Sequence, residues 1–131
     1  MRHLVSIERY IRTKDDIYEA MKCTEMLLTM KEFSQTSILK LQLVTEEACT
    51  NAYEYCLKSG LWPIQVEWRI TPNAFELIVR QKGKRIPLTN KKNIINSGPR
   101  GRGITLILNL MDEVEVREGE GFVELYMKAL F

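Results

Sequence analysis

The sequence is poor in the residues that hold metals and build nucleophilic triads. It has one histidine, His3, and three cysteines, Cys23, Cys49 and Cys56, with no CxxC spacing. Neither a tetrahedral metal site nor a Ser–His–Asp triad can be assembled from that set. The cysteines read as small buried apolar side chains. No apolar stretch nears the roughly 20 residues of a membrane span. Charges interrupt the opening "MRHLVSIERYI", so it does not read as a signal peptide. The expected location is the cytoplasm, with no membrane partner. Charge of one sign is also missing: 19 Lys and Arg stand against 17 Asp and Glu, a net charge of +2. That balance makes no case for direct nucleic-acid binding.

What is present suits one globular domain. The chain's 131 residues can bury a core without disulfides or metal. Residues 2–11 alternate in polarity, as an edge strand does. In "TKDDIYEAMKCTEMLLTMKEF" Thr13 is an N-cap, and Ile17, Met21, Met26, Leu27 and Met30 form an apolar helical stripe with the methionines as core filling. A second helix begins near residues 35–37 and stops at Gly60, with Ile38, Leu41, Val44, Ala48, Ala52 and Tyr55 as its buried stripe. "IQVEWRIT" and "AFELIVRQ" read as a hairpin about Pro72-Asn73. Residues 82–100 form a long basic loop, "ITLILNLM" is a helix, and "EVEVRE" and "FVELYMKAL" are two last strands meeting at "GEG". The order β-α-α-β-β-loop-α-β-β fits an α/β (α+β) two-layer sandwich, with a mixed, mostly antiparallel sheet and helices on one face.

Two stretches carry chemistry. In "GPRGRGITLILNLMDEV" Gly101 and Gly103 flank Arg102 where a helix begins. Glycines let a ligand approach the backbone, and the unpaired N–H groups of a helix start attract phosphate. Arg100 and Arg102 could add direct contacts to it. In "TEEACTN", Glu47 and Asn51 are four apart on a helix and so neighbours on one side, at the border of the core. A glutamate can take a proton from a hydroxyl. An asparagine oxygen suits Mg²⁺ when phosphates supply the other ligands. Taken alone, the first stretch reads as an ordinary flexible loop and the second as a solvated helix face.

Taken together, in this order, the two stretches resemble those of the anti-sigma factor serine kinases. That family belongs to the histidine-kinase-like ATPase (Bergerat-fold) superfamily. "TEEACTNA" matches the N-box and "RGRGITLILNLMDEV" the glycine box, and the ending "GFVELYMK" is also close to the family pattern. The resemblance implies ATP and Mg²⁺ as cofactors, with Glu47 as the base that activates an attacking serine hydroxyl and Asn51 as the Mg²⁺ ligand. Gln81, Gly83, Arg100, Gly101, Arg102, Gly103 and Ile104 would line the nucleotide, and residues 84–100 would form the ATP lid. It further implies a homodimer that sequesters a sigma factor and phosphorylates a serine on a small anti-anti-sigma (STAS-like) protein. The whole chain, 1–131, would be this one domain.

The chain departs from the family pattern on the side that holds the base. The family's adenine box reads D-x-G-x-G; here "QKGKR" puts Gln81 for the aspartate and Arg85 for the second glycine. A neutral acceptor in place of a carboxylate weakens a hydrogen bond by about 1–2 kcal/mol. Near the end, Gly121-Phe122 replaces the Gly-Thr the family often carries. Two readings follow: a nucleotide bound weakly or with altered base preference, or a nucleotide-binding-deficient, non-catalytic partner-binding regulator of the same fold.

Overall fold

A computed structural model describes residues 5–83 and 99–131, with the side chains of 99–104 outside that description. The elements are β1 (Val5–Ile11), α1 (Lys14–Met30), α2 (Gln35–Ser59), β2 (Ile64–Ile70), β3 (Ala74–Lys82), α3 (Pro99–Leu110), β4 (Glu113–Gly119) and β5 (Phe122–Leu130). Local chemistry sets several of their ends. Thr13 Oγ1 accepts from the Asp16 N–H at 3.3 Å, and the Asp16 carboxylate accepts in return from the Thr13 N–H at 3.1 Å. This reciprocal capping box satisfies donors that a helix start leaves open. Ser34 caps α2 in the same sense, accepting from the Ser37 N–H. Gly60 ends α2 in the left-handed conformation, φ 71°, with its N–H donating to the Cys56 carbonyl.

The five strands form one sheet in the order β1-β2-β3-β5-β4. The two-layer sandwich is as expected, while every strand pairing described is antiparallel, so the sheet is not mixed. The register lines up Ile7, Trp68, Leu77, Met127 and Val114 across all five strands. Side chains alternate between faces along a strand, so this apolar row and its neighbours look one way, towards the helices. The core lies between that face and the inner sides of α1, α2 and α3, with Leu28, Val44, Trp68, Phe75 and Ile107 fully buried.

The opposite face is polar. Glu67 accepts from Arg69 at 2.7 Å and from Arg80 at 2.9 Å, and Arg80 also reaches Glu124 at 2.6 Å. Arg117 extends the chain of charges onto β4, and Tyr126 donates to Glu76. Burial opposes the charge on Glu67, yet the hydrogen bonds from Arg69 and Arg80 outweigh it and hold the carboxyl below its ordinary value.

Two expectations about burial do not hold. Met26 and Met30 are 47% and 70% exposed, not core filling. The inward stripe of α1 runs through Ile17, Ala20, Thr24, Leu27 and Leu28, which turns both methionines to solvent. Tyr55 is half-buried, because Ala52 and Cys56 take the inner positions of that turn of α2. The three cysteines are buried as expected, and burial pushes the Cys49 thiol up to about 12.

Candidate functional site

The site lies where α2 packs on the end of β3 and on β4 and β5. Glu47, Asn51 and Tyr55 follow one another at four-residue spacing along one side of α2. Glu47 is half-buried. Asn51 is half-buried too, with its Nδ2 atom fully covered. Asn51 and Gln81 line one cavity of about 20 Å³, whose other walls are Ala48, Ala52, Val79 and the β4–β5 side chains Val116, Val123 and Leu125. The structure thus joins two residues that lie far apart in the sequence. Gln81 is 4% exposed, and its Nε2 finds no hydrogen-bond partner among the described residues. A buried amide donor left open is costly, which marks it as an unmet requirement of the fold.

Gly83 closes the end of β3. Its φ of 120° suits glycine alone, and its N–H donates to the Gly121 carbonyl at 2.9 Å. A β-carbon there would sit 2.6 Å from the Tyr55 hydroxyl. Sequence reasoning assigned Tyr55 to the core and missed this contact; the 47–51–55 spacing was the signal for it. The register also sets Gln81 against Val123 and Lys82 against Phe122. The two departures on the base side, at residues 81 and 121–122, are therefore neighbours across one strand pair.

The backbone of α3 is helical from Pro99, so Gly101 and Gly103 lie in its first turns rather than ahead of it. A proline at a helix start loses no bond, since its missing N–H would be unpaired anyway. The side chains of Arg100, Arg102 and Ile104, and residues 84–98 of the expected ATP lid, including Arg85, lie outside the described residues. Among those described, no group of three or more His, Cys, Asp or Glu could hold a metal. A divalent ion at Asn51 would thus need ligands from a bound molecule, as phosphates provide. The side-chain oxygen of Asn51 is of the kind that completes the coordination of a metal held by phosphates. At the other end Gln81 brings an uncharged amide whose Nε2 is enclosed by the fold.

This arrangement is a two-layer sandwich of helices on one antiparallel sheet, and residues 12–129 match the histidine kinase-like ATPase domain. The chain belongs to that family. Among curated proteins it is similar to the serine-protein kinase RsbW of Bacillus thuringiensis and of Bacillus cereus, at 26% identity over 106 residues. The match takes in 73% of this chain and 66% of each relative. The family resemblance carried by the N-box and glycine box is borne out. Among solved structures, a chain of the SiaB–SiaC complex from Pseudomonas aeruginosa shares the fold, with a TM-score of 0.67 over 97% of this chain and 89% of that one, at 13% identity. No helix among the described residues is long and apolar enough to cross a membrane.

Proposed function

We propose that this protein is a partner-switching regulator with protein serine kinase activity. It phosphorylates a serine on a small anti-anti-sigma (STAS-like) protein and, as a cytoplasmic homodimer, sequesters a sigma factor. The observation that carries the reading is the pairing of Glu47 and Asn51 on one side of α2, with Asn51 in the wall of a cavity at the end of β3. The similarity to proteins named serine-protein kinases supports the same chemistry.

The division of labour follows from residue chemistry. A bound nucleoside triphosphate supplies the transferable phosphoryl group, with Mg²⁺ neutralising its charge. Asn51 would hold the metal through its side-chain oxygen, and the first turn of α3 would offer N–H groups to phosphate oxygens. Glu47 would accept the proton of the partner's serine hydroxyl as its oxygen bonds to the γ-phosphorus, while the bond from that phosphorus to the bridging oxygen breaks and nucleoside diphosphate leaves. Replacing Glu47 with Gln keeps shape and hydrogen bonding but removes the base. The expected result is loss of serine phosphorylation with nucleotide binding largely intact. An active preparation that keeps its full rate after that change would overturn the role of Glu47.

A second reading rests on a different observation. The cavity beside Gln81 is far too small for a purine, and the residue at 81 carries no charge. On that reading the protein is a non-catalytic binding module of the same fold, and nucleotide leaves partner binding unchanged. Calorimetry with ATP, ADP and GTP at millimolar concentration separates the two. A Mg²⁺-dependent heat with ATP rejects the nucleotide-binding-deficient reading.

A further inference from the structure

We infer that the groove between α1 and α2, beside Glu47, is where the phosphoacceptor protein docks, through an apolar anchor flanked by lysine or arginine. The inference rests on the kinase reading above and names the surface that receives the serine-bearing partner.

Helix geometry divides the neighbours of Glu47 into two sides. Asn51 and Tyr55 continue along the side of α2 that turns to the sheet, where Asn51 shares a cavity with Gln81. On the kinase reading that side belongs to the nucleotide. Glu54, seven residues after Glu47, lies on the other side of it, together with Glu46, Tyr53 and Leu57. These four line a groove of about 310 Å³ whose opposite wall is the first turns of α1, with Ile17 and Tyr18. With a nucleotide on the first side, a protein that brings a serine oxygen to Glu47 covers the second.

The groove has the build of an anchor site. Ile17 is buried within it, and the Tyr53 ring meets Trp62 edge to face with 5.4 Å between centroids, so that wall stands before any partner arrives. Tyr18 and Leu57 are 61% and 60% exposed where they line it, and Leu43, one turn before Glu47, is exposed as well. Apolar side chains held in water gain by being covered. The charges choose the cover. Glu46 and Glu54 line the groove and Glu47 adjoins it, against one cation, Lys14, among the lining residues. A surface of that sign repels an anionic membrane or a nucleic acid and draws a protein patch that carries Lys or Arg.

Steady-state phosphorylation by the full chain with MgATP tests the inference, the probes being the purified STAS-domain proteins of the source organism. Leu57→Asp and Tyr18→Asp, both at exposed positions, are expected to raise KM for the protein substrate about tenfold, with kcat and KM for ATP unchanged. Glu46→Lys is expected to raise the same KM and to flatten its dependence on salt, with a smaller effect for Glu46→Gln. Unchanged far-ultraviolet circular dichroism and a cooperative melt establish that each variant is folded. A phosphorylated STAS protein whose KM none of the variants moves overturns the groove and leaves the kinase reading standing. A dimer that Leu57→Asp splits into monomers in sedimentation makes the groove a contact between copies of this chain and overturns its assignment to the phosphoacceptor. A STAS protein that binds without being phosphorylated overturns the kinase reading, and its affinity for the same variants, read by calorimetry, then decides the groove: an affinity they leave unchanged overturns that too. No STAS protein bound or phosphorylated overturns both.

Discussion

Trp68 Nε1 donates a 2.9 Å hydrogen bond to Thr24 Oγ1 in the middle of the core, tying β2 to α1 through two fully buried side chains. Thr24 lies 2.7 Å from Thr45 Oγ1, which in turn donates to the Leu41 carbonyl at 2.8 Å. Each hydroxyl has one hydrogen, so the direction is settled. Thr45 spends its own on Leu41, and Thr24 must donate to Thr45. The relay pins α1, α2 and the sheet together without one unsatisfied member.

Thr24→Val keeps the shape and deletes both the acceptor of Trp68 and the donor to Thr45. The expected loss of stability is about 1–3 kcal/mol, read from urea unfolding midpoints. Thr24→Ser retains the hydroxyl and is expected to recover most of it. A loss in Thr24→Ser with none in Thr24→Val would mean that the methyl group, not the relay, matters.

Thr13 acts at the surface, as the N-cap of α1. Thr13→Ala removes the side-chain acceptor of the Asp16 N–H and is expected to cost about 1 kcal/mol, with Thr13→Ser near neutral. Thermal melts of the three proteins check this.

The Glu67 carboxyl titrates below its ordinary value in the folded state because of Arg69 and Arg80, despite its burial. The unfolded chain therefore binds that proton more readily. The stability contributed by the pairs is fully present above the ordinary glutamate value of 4.5 and is lost as pH falls through the lower folded one. Chemical unfolding followed from pH 7 towards pH 3 should show this acid-side decline. Glu67→Gln should flatten it; an unchanged slope would remove Glu67 as the cause.

Gly83 is held at a positive φ beneath the Tyr55 hydroxyl. Gly83→Ala combines backbone strain with overlap against that oxygen and is expected to cost about 1–3 kcal/mol. Adding Tyr55→Phe should restore only the overlap part. A double-mutant cycle by denaturant unfolding measures the coupling, and full additivity would show that Tyr55 does not press on this position.

The features readable from the sequence were local. Thr13, Gly60 and the alternation in β1 act within a few residues of themselves, so the elements and most of their ends follow from neighbouring chemistry. The four-residue spacing of Glu47 and Asn51 likewise sets them on one side of a helix wherever that helix goes, and "TEEACTNA" with "RGRGITLILNLMDEV" was enough to recognise the family.

The tertiary structure decided what depends on which element lies beside which. The α1 methionines look like core residues until the sheet takes Ile17, Ala20, Thr24, Leu27 and Leu28 as the inward stripe and leaves Met26 and Met30 in solvent. Glu67, Arg80 and Glu124 come from three strands, and only the order β2-β3-β5 makes them a network. Gln81 was visible as a substitution in a motif. That its amide is buried, open-ended and in the same cavity as Asn51 follows from the packing of α2 on β3 and β5. Burial and hydrogen-bond satisfaction belong to the surroundings of a group, and those surroundings are assembled from distant parts of the chain.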